Sequence, residues 1–446
     1  MQQKLVILGA GESGVGAALL GTQKGYDVFV SDAGPIAPRF KNELENASVP
    51  FEECAHDRGR LLHADLVVKS PGIPEKAPIV QAIRQAGIPL ISEVEFAFRF
   101  VGDSKVIAIT GSNGKSTTTA LTYHLFRTAG IDCAMVGNIG YSFARQVALD
   151  PKPLYVAEIS SFQLDDIESF RPDVAILTNI TEDHLDRYNY KMENYIRSKF
   201  SIARNQRTTD VFIYCYDDPV SAEHINNYPI HSKRVPITMN KELPQGAYLT
   251  NAKMYLKWKN EEVAMSIEDF AIKGKHNQYN SMAASMAATA LDIRKEKIRE
   301  ALQTFESLEH RMEKIATVKG VEFVNDSKAT NVNSTWYALE SMTKPVILIL
   351  GGVDKGNDYS LLLDLVAEKV KAIVCLGVDN QKIHDAFGDT IPLILDTMSA
   401  QDAVQTAFQV ANKGEVVLLS PACASFDLFK NYEDRGDQFK KAVKEL

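Results

Sequence analysis

Short runs of Val, Ile and Leu recur along the chain, bounded by Gly or Pro and separated by segments with helical spacing of apolar residues. Alternation of this kind is typical of parallel sheets covered by helices. The pattern therefore predicts an α/β fold. The first six predicted strands are Leu5–Leu8, Val28–Ser31, Leu66–Lys69, Val106–Thr110, Tyr155–Ile159 and Val174–Asn179.

Two breaks in this pattern predict three domains. The first strand group ends near Ser92-Glu93, where a phenylalanine-rich helix begins, and a new strand series starts after Leu308-Glu309-His310-Arg311. A length of 446 residues, at roughly 150 residues per domain, agrees with three domains. We expect them at residues 1–93, 94–307 and 308–446, the first and last Rossmann-like. The strands of the third series are Val321–Val324, Val346–Leu350, Ala372–Leu376, Pro392–Leu395 and Val416–Leu419.

The middle of the chain has a different texture. Polar and apolar residues alternate from Tyr255 to Met265 on both sides of a Lys-Asn-Glu turn, which predicts an antiparallel hairpin at the edge of the central domain. A helix rich in Met and Ala follows from Asn280 to Leu291, and we expect Met282 and Met286 to fill the core rather than contact a cofactor.

Composition narrows the classes of partner. The formal net charge is -8 and no long basic run occurs, so neither nucleic acid nor an anionic membrane is expected to bind. Five cysteines without a close pair are typical of reduced thiols in a cytosolic chain. No segment resembles a signal peptide or an apolar run of about 18 residues. We expect a cytoplasmic monomer without membrane insertion.

The strand ending at Thr110 runs into the segment Gly111–Thr117, with the sequence GSNGKST. Its glycines let the backbone approach phosphate oxygens, and the following helix offers N–H groups and the positive end of its dipole. Lys115 is then expected on the β- and γ-phosphates and Ser116 on Mg²⁺. Because Ile109 stands where the usual loop begins with Gly, a shorter loop found in a subset of ATP enzymes is indicated. The predicted ATP-binding residues here are Gly111, Asn113, Gly114, Lys115, Ser116 and Thr117.

Two further segments supply hard ligands for a metal. Glu158 ends one strand, and the segment Thr181–Asp186, which contains His184, follows the next. Carboxylates at the carboxyl ends of parallel strands face the crevice where ligands bind, and Mg²⁺ prefers oxygen ligands. A helix-capping role for Glu158 and a surface-loop histidine at 184 are the alternatives. By pattern alone, Lys199 is an ordinary helix lysine.

The segment Gly9–Gly14, with the sequence GAGESG, follows the first strand, and Asp32 closes the second strand about twenty residues later. This matches the dinucleotide-binding fingerprint in spacing and context. The same geometry accommodates any pyrophosphate attached to a ribose. An NAD site, a UDP-sugar site and a glycine-rich turn without a ligand are therefore all open interpretations.

Three polar loops follow strands of the third series, at Asn325–Asn331, Gly351–Gly356 and Ser420–Ser425. The lysines at 328 and 355 and the hydroxyls at 330 and 425 suit a small dianionic ligand. Cys423 is expected to be a buried small thiol rather than a nucleophile, since no histidine is placed nearby in sequence to activate it.

Taken in order, these segments resemble the ATP-dependent Mur ligases over essentially the whole chain. The resemblance implies a UDP-binding N-terminal domain, a central P-loop-type ATPase domain and a C-terminal amino-acid domain. It also implies ATP and two Mg²⁺ ions. The matching segments are Thr110–Thr117, Glu158–Gln163, Thr181–Tyr188, Gly274–Asn277, His310-Arg311, Asn325–Asn331 and Ser420–Ser425.

Site residues carry over from this resemblance position by position. Ser116 and Glu158 would hold one Mg²⁺, and His184 with a carbamylated Lys199 would hold the other. Lys115, Glu158, His184 and Lys199 would form the catalytic group. The UDP-linked substrate would be held by Ser13, Asp32, Ser70, Pro71, Gly72 and Asn138. The nucleotide would also meet Asn277, Arg311 and Asp326. The D-glutamate pocket would consist of Lys328, Thr330, Lys355, Ser425 and Tyr432.

The implied reaction adds D-glutamate to UDP-N-acetylmuramoyl-L-alanine through an acyl phosphate, in the synthesis of peptidoglycan precursors. A sister ligase that adds another amino acid is one alternative. An NAD-dependent oxidoreductase, based on Gly9–Gly14 and Asp32 alone, and a non-catalytic nucleotide switch, based on Lys115 and Ser116, are the others.

Overall fold

The computed structural model describes residues 2–306, 309–354 and 356–446. The chain divides into two compact units, Met1–Ala271 with Gln278–Phe305, and Ile272–Asn277 with Glu306–Leu446. The first unit contains two sheets and the second contains one. None of the helices in the described ranges is long and apolar enough to cross a membrane.

Parallel strands form the N-terminal sheet, in the order β3-β2-β1-β4-β5. Its strands are β1 Lys4–Leu8, β2 Asp27–Ser31, β3 Phe51–Glu52, β4 Leu66–Lys69 and β5 Leu90–Ser92. Its helices are α1 Glu12–Gln23, α2 Pro38–Asn46, α3 Arg58–Leu61, α4 Pro78–Gln85 and α5 Glu93–Phe98. The interior positions of β1 and β4 are fully buried on both faces, which explains their continuous apolar runs.

The central sheet has the order β14-β13-β12-β11-β10-β9-β6-β8-β7. Its strands are β6 Lys105–Thr110, β7 Ala134–Gly137, β8 Leu154–Glu158, β9 Val174–Leu177, β10 Val211–Cys215, β11 Lys233–Thr238, β12 Gly246–Thr250, β13 Lys253–Trp258 and β14 Glu261–Ser266. Its helices are α6 Lys115–Thr128, α7 Phe143–Leu149, α8 Ser161–Leu164, α9 Met192–Phe200, α10 Pro219–His224, α11 Lys275–Ala290 and α12 Lys295–Thr304, with 3-10 turns at Leu185–Tyr188, Ser201–Ala203 and Ile267–Asp269. Residues 272–277, which include the first turn of α11, belong to the second unit.

The predicted hairpin is confirmed at the edge of this sheet. β13 and β14 pair in antiparallel fashion, and Trp258 lies opposite Glu261. Lys259 and Asn260 form the two-residue turn, both with positive φ (49° and 65°). A turn of this type matches the twist of the two strands. Met282 and Met286 are fully buried in α11, as expected of core side chains.

The second unit contains the C-terminal sheet, in the order β15-β16-β20-β17-β18-β19. Its strands are β15 Glu313–Val318, β16 Val321–Asn325, β17 Val346–Leu350, β18 Val370–Leu376, β19 Ile394–Thr397 and β20 Val416–Leu419. Only the β15–β16 pair is antiparallel among the described pairs. Its helices are α13 Val332–Ser341, α14 Leu363–Lys369, α15 Gln381–Phe387, α16 Ala400–Val410 and α17 Tyr432–Lys444, with a 3-10 turn at Tyr359–Leu362.

The three sheets consist mainly of parallel strands with helices between them, which confirms the predicted α/β fold class. In each sheet, the loops that sequence reasoning singled out follow the carboxyl ends of strands β1, β6, β8, β9, β16, β17 and β20. Ligands of open α/β sheets bind at this edge. The domain limits at 93 and 307 stay a prediction.

Candidate active site

The phosphate loop joins the end of β6 to the start of α6 and requires glycine at two positions. Gly111 has a φ of +146° and Gly114 a φ of +83°. A Cβ atom at Gly111 would lie 1.9 Å from Thr178 Oγ1, and one at Gly114 would lie 2.6 Å from Asn280 Oδ1. The loop therefore keeps its backbone exposed to a ligand on one side while packing tightly on the other.

Side chains of the neighbouring strand end hold this loop in place. Asn179 Oδ1 accepts the Asn113 N–H at 2.9 Å, and the Thr178 hydroxyl donates to the Asn113 carbonyl at 2.6 Å. The Ser112 hydroxyl donates to the Thr181 carbonyl at 2.9 Å. The loop is thus preorganised by protein contacts. Neither Thr178 nor Asn179 was identified from sequence, because nothing in a strand-end Thr-Asn pair signals this role.

The polar groups of the loop suit a phosphate. Lys115 Nζ lies over the loop, 2.7 Å from the carbonyl oxygens of both Gly111 and Ser112. Ser116 is buried, and within the described residues the buried Thr117 hydroxyl has no hydrogen-bond partner. An orphaned hydroxyl at the N-terminus of a 14-residue helix fits an incoming phosphate oxygen and its metal.

Glu158 and Asn138 meet at the carboxyl end of β8. Asn138 Nδ2 donates to Glu158 Oε1 at 2.9 Å, and the Glu158 side chain is buried. The structure assigns the cap of the next helix, α8, to Ser160, which forms a capping box with Gln163. The capping interpretation of Glu158 is therefore wrong, and an oxygen ligand at this edge of the sheet is of the type that Mg²⁺ prefers.

Lys199 is the residue for which the pattern alone was misleading. It projects from α9 but is only 2% exposed, with Nζ 2.8 Å from the Gly111 carbonyl and 3.3 Å from Thr110 Oγ1. Burial, and then repulsion from Lys115, hold the pKa of Lys199 well below its ordinary value, against the opposing attraction of Asp183, Glu158 and Asp165. The surroundings of Lys199 therefore disfavour its ammonium form.

His184 follows β9 in the left-handed conformation, with φ 54°. Its side chain is 40% exposed, and Nε2 lies 3.6 Å from Asp183 Oδ2. Its ring packs edge-on against Phe162, with 5.1 Å between ring centroids. The loop therefore presents an imidazole and a carboxylate near the end of the strand that neighbours β6.

The glycine-rich loop after β1 packs against the loop after β4. A Cβ atom at Gly9 would lie 2.8 Å from Ser70 Oγ, and one at Gly14 would lie 1.8 Å from the Gly9 carbonyl oxygen. Asp32 accepts the N–H of Ala10 at 2.7 Å and that of Gly34 at 2.8 Å. These contacts bring together the predicted segments at 9–14, 32 and 70–72. Ser13 lies in the first turn of α1, within the same loop region.

The polar loops of the second unit converge at the carboxyl edge of the C-terminal sheet. Asp326 is buried and accepts the Ser420 hydroxyl at 3.0 Å and the Met312 N–H at 3.2 Å. Burial raises the pKa of Asp326 to about 7, with Arg311 and Ser420 opposing. Lys328 Nζ lies 5.3 Å from the centre of the Tyr432 ring. Thr330 lies in the turn after Lys328, and Ser425 is buried in the last loop.

Arg435, which sequence reasoning missed, ties two of these loops together. It is fully buried and donates to Ser327 Oγ at 3.0 Å, the Ser327 carbonyl at 2.8 Å and the Cys423 carbonyl at 3.2 Å. An arginine in a charged C-terminal helix has no distinguishing pattern. Cys423 itself is buried beside the Tyr359 hydroxyl at 3.2 Å, which confirms a buried thiol. Burial raises its pKa, which disfavours the reactive thiolate.

Two more predicted nucleotide residues belong to the second unit. Asn277 Nδ2 donates to the Lys273 carbonyl at 2.8 Å. Arg311 is near enough to His276 to help burial lower the pKa of that imidazole to about 4. Within the described residues, Arg311 Nε is buried without a hydrogen-bond partner. Lys355, predicted for the amino-acid pocket, lies outside the described residues.

The class that this fold and site define is a three-domain α/β enzyme with a shortened phosphate loop, a buried carboxylate after β8 and an imidazole after β9. Comparisons with known proteins narrow it. Residues 3–92 match the Mur ligase MurD-like N-terminal domain, 109–288 the Mur ligase middle domain and 310–423 the Mur ligase glutamate ligase domain.

Curated relatives match along the whole chain. A protein of Christiangramia forsetii named UDP-N-acetylmuramoylalanine--D-glutamate ligase is 52% identical over 446 residues, covering 100% of both chains. A protein of Porphyromonas gingivalis with the same name is 52% identical and covers 100% of this chain and 99% of its own. The chain belongs to the Mur ligase family, and it is an ATP-dependent ligase of peptidoglycan precursor synthesis.

Solved structures agree on the fold. The UDP-N-acetylmuramate-alanine ligase of Thermotoga maritima superposes with a TM-score of 0.64 at 18% identity, covering 100% of both chains. The MurF ligase of the same organism, in complex with ADP, has a TM-score of 0.59 at 15% identity and covers 94% of this chain and 95% of its own. Family membership favours a ligase over an NAD-dependent oxidoreductase as the interpretation of the glycine-rich loop at Gly9–Gly14.

Proposed function

We propose that this chain adds D-glutamate to UDP-N-acetylmuramoyl-L-alanine, with ATP as the source of energy. The observation that supports the chemistry is the convergence of Lys115 and the buried Lys199 on one phosphate loop, with Glu158 near enough to Lys199 to act on its pKa. Support for the amino acid comes from the two relatives that match over the whole chain and carry the D-glutamate ligase name.

The reaction has to overcome a simple obstacle. At neutral pH a carboxylic acid is present as carboxylate and an amine as ammonium, and this pair does not condense to an amide. We infer that the terminal carboxylate of the UDP-linked substrate attacks the γ-phosphorus of ATP, which breaks the bond to ADP and yields an acyl phosphate. The amine of D-glutamate then attacks the acyl carbon, and inorganic phosphate leaves from the tetrahedral intermediate.

Lys115 is placed to stabilise the transferring phosphoryl group. Its ammonium lies at the mouth of the loop, 2.7 Å from two backbone carbonyls, and exchange of those contacts for phosphate oxygens keeps its charge next to the developing negative charge. The α6 N-terminus and the Thr117 hydroxyl add neutral donors on the same side.

The residues present fit two Mg²⁺ ions. Ser116 and Glu158 would hold one, and His184 with a carbamylated Lys199 would hold the other. When bound, Mg²⁺ would polarise the phosphoryl oxygens and neutralise their charge. The fit rests on Glu158, a buried carboxylate at the sheet edge, and on the burial of Lys199, which lowers its pKa.

Carbamylation requires an unprotonated amine, and the surroundings of Lys199 favour one. The lone pair of Nζ attacks the carbon of CO₂, and the nitrogen loses one proton, so that the lysine becomes a carbamate anion. Burial and the nearby Lys115 disfavour the ammonium form. The carbamate would instead be attracted to Lys115 and to a bound cation.

In the second unit, the amino acid would lie between Lys328, Thr330, Lys355, Ser425 and Tyr432, with Asn277, Arg311 and Asp326 on the nucleotide. Arg435 keeps the loops at 325–331 and 420–425 in register through its bonds to Ser327 and Cys423. We further propose a cytoplasmic location for the reaction and a monomeric enzyme.

Oxygen transfer tests this mechanism. With ¹⁸O in both oxygens of the substrate carboxylate, mass spectrometry of the released phosphate should show one ¹⁸O per turnover, because the acyl phosphate carries a carboxylate oxygen to phosphorus. Lys115→Met should abolish the release, whereas Lys152→Met, a lysine that pairs with Asp132 and Asp150 on the surface, should retain it. Phosphate free of ¹⁸O would contradict activation of the carboxylate.

A further inference from the structure

Arg187 connects two segments that sequence reasoning treated separately. It lies in the 3-10 turn Leu185–Tyr188 that follows His184 in the central domain. Its guanidinium reaches the turn after β4, where Nη2 donates to the carbonyls of Pro71 at 3.2 Å and Ile73 at 3.4 Å, and Nη1 donates to that of Gly72 at 3.3 Å. Three consecutive carbonyl groups therefore face a single cation.

This arrangement orients the opposite side of the turn. In a trans peptide the C=O and the following N–H point in opposite directions, so a Pro71 carbonyl directed at Arg187 turns the Gly72 N–H away from it. A Cβ atom at Gly72 would meet nothing within 4 Å. The turn is thus open at the Gly72 Cα, and the guanidinium polarises its peptide groups from the carbonyl side.

The same guanidinium is held from the central domain by aromatic contacts. Its central carbon lies 4.3 Å from the centre of the Phe162 ring, a distance typical of a cation–π contact. The Phe162 ring packs against His184 at 5.1 Å and stacks on Tyr188 at 6.1 Å. Tyr188 in turn donates to Asp165 at 2.9 Å. Arg187 is therefore fixed relative to the loop that carries His184.

The charge of Arg187 is not neutralised by an acidic partner. Within the residues that the structure describes, no carboxylate forms an ion pair with it, and backbone carbonyls and one ring satisfy its donors. A cation held in this way keeps a positive potential behind the 70–73 turn, which favours an anionic ligand on the other side.

We propose that Arg187 is a positioning residue that shapes the 70–73 turn for the UDP-linked substrate and couples it to the His184 loop. This inference rests on the proposed function, together with the family resemblance that implies Ser70, Pro71 and Gly72 as contacts of that substrate. Arg187 acts through the turn and through Phe162, without touching the reacting atoms.

The test compares Arg187→Met and Arg187→Lys with Arg84→Met. Met keeps the apolar stem, and Lys keeps the charge but cannot donate from two nitrogens. Arg84 is a matched control, because it also links the N-terminal and central domains, through its ion pair with Asp166, without contacting the turn carbonyls. Calorimetric titration of UDP-N-acetylmuramoyl-L-alanine without ATP gives the dissociation constant, and thermal melting checks folding.

We expect Arg187→Met to weaken binding of the UDP-linked substrate about tenfold or more, the scale of losing charged hydrogen bonds. Arg187→Lys should weaken it less, and Arg84→Met about twofold at most. In steady-state assays the KM for the UDP-linked substrate should rise in Arg187→Met while the KM for D-glutamate stays constant, a split that a general loss of stability does not produce.

Unchanged binding of the UDP-linked substrate by both Arg187 variants would overturn the inference. An equal loss in Arg84→Met would do the same, because it would show a general effect of the domain junction. Should Arg187→Met fail to fold, Arg187→Lys and Phe162→Leu decide, since Phe162→Leu removes the ring beneath the guanidinium. Absence of binding by the unaltered chain would overturn the proposed function itself.

Discussion

Glu93 gives a quantitative prediction about the junction between the first two sheets. It is the first residue of α5 and is 1% exposed. One carboxylate oxygen accepts the Ala144 N–H at 2.5 Å, and within the described residues Oε2 is buried without a partner. Burial raises the pKa of Glu93 from 4.5 to about 7, and the nearby Glu12 adds to the rise. The hydroxyl of Ser142 and the N–H groups of residues 143 and 144 oppose it.

The sign of the effect follows from proton uptake. Between pH 4.5 and 7 the folded chain holds a proton on Glu93 that the unfolded chain has released, so the free energy of unfolding falls as pH rises. The pKa of about 7 against 4.5 corresponds to a loss of about 3 kcal/mol across this window, at ~1.4 kcal/mol per tenfold change in proton affinity. Glu93→Gln removes the titration and should remove that slope.

Urea unfolding between pH 5 and 8 measures the slope. The chain has two tryptophans, and a Trp336→Phe background leaves Trp258 of β13 to report the first unit. Glu95→Gln is the matched control. Bonds from the N–H groups of residues 168 and 170, from Ser169 and from Arg99 lower the pKa of Glu95 despite its burial. Its contribution is therefore present above pH 4.5 and lost only at lower pH.

We expect Glu95→Gln to lower stability at every pH in this window while keeping the slope of the parent. Glu93→Gln should flatten the slope and, above pH 7, be more stable than the parent by up to about 3 kcal/mol. Parallel pH dependences of Glu93→Gln and its parent would refute the reasoning, because they would show that Glu93 does not titrate in this range.

Three other substitutions test the site. Lys199→Ala should lose most activity and recover part of it with added short carboxylic acids. As a control, Arg197→Ala, on the exposed side of α9, should stay near the parental rate. Full activity in untreated Lys199→Ala would contradict a metal-binding carbamate. Gly111→Ala should abolish ATP binding measured by calorimetry, because its Cβ would lie 1.9 Å from Thr178 Oγ1. As a control, Gly130→Ala, at a position with φ +80° and open space around the Cβ, should cost only about 1 kcal/mol of stability. Retained ATP binding in Gly111→Ala would refute the loop geometry. Cys423→Ala should keep its rate within a few-fold, and a complete loss with intact folding would revive the nucleophile hypothesis.

The sequence predicted the parts of the fold whose signals are local. Buried parallel strands such as Val346–Leu350 are continuous apolar runs, and the polar residues at Lys259-Asn260, between two alternating segments, predict a hairpin. Shorter or less regular strands were not predicted. Phe51–Glu52 has two residues, and Gly246–Thr250, with the sequence GAYLT, begins with glycine and does not alternate regularly, so neither carries a period that distinguishes it from a loop.

The site residues also fall into those with a local sequence signal and those without one. The phosphate loop is predictable because its glycines, lysine and hydroxyls are contiguous. Lys199 was not identified from its own pattern, since its burial depends on Gly111 and Thr110, which lie 88 and 89 positions away. Arg187 and Arg435 bond backbone carbonyls of distant loops, and such partners have no side-chain signature in the sequence. Resemblance to a family supplied Lys199, and only the structure supplied the two arginines.

The measurement that tests the central claim most directly is phosphate release from Mg·ATP in the presence of UDP-N-acetylmuramoyl-L-alanine, with D-glutamate, L-glutamate, other amino acids or none. We predict release that requires D-glutamate, together with a product heavier by one glutamyl residue. Release with a different amino acid would contradict the assignment while retaining the ligase mechanism, and release that is independent of any amino acid would contradict both.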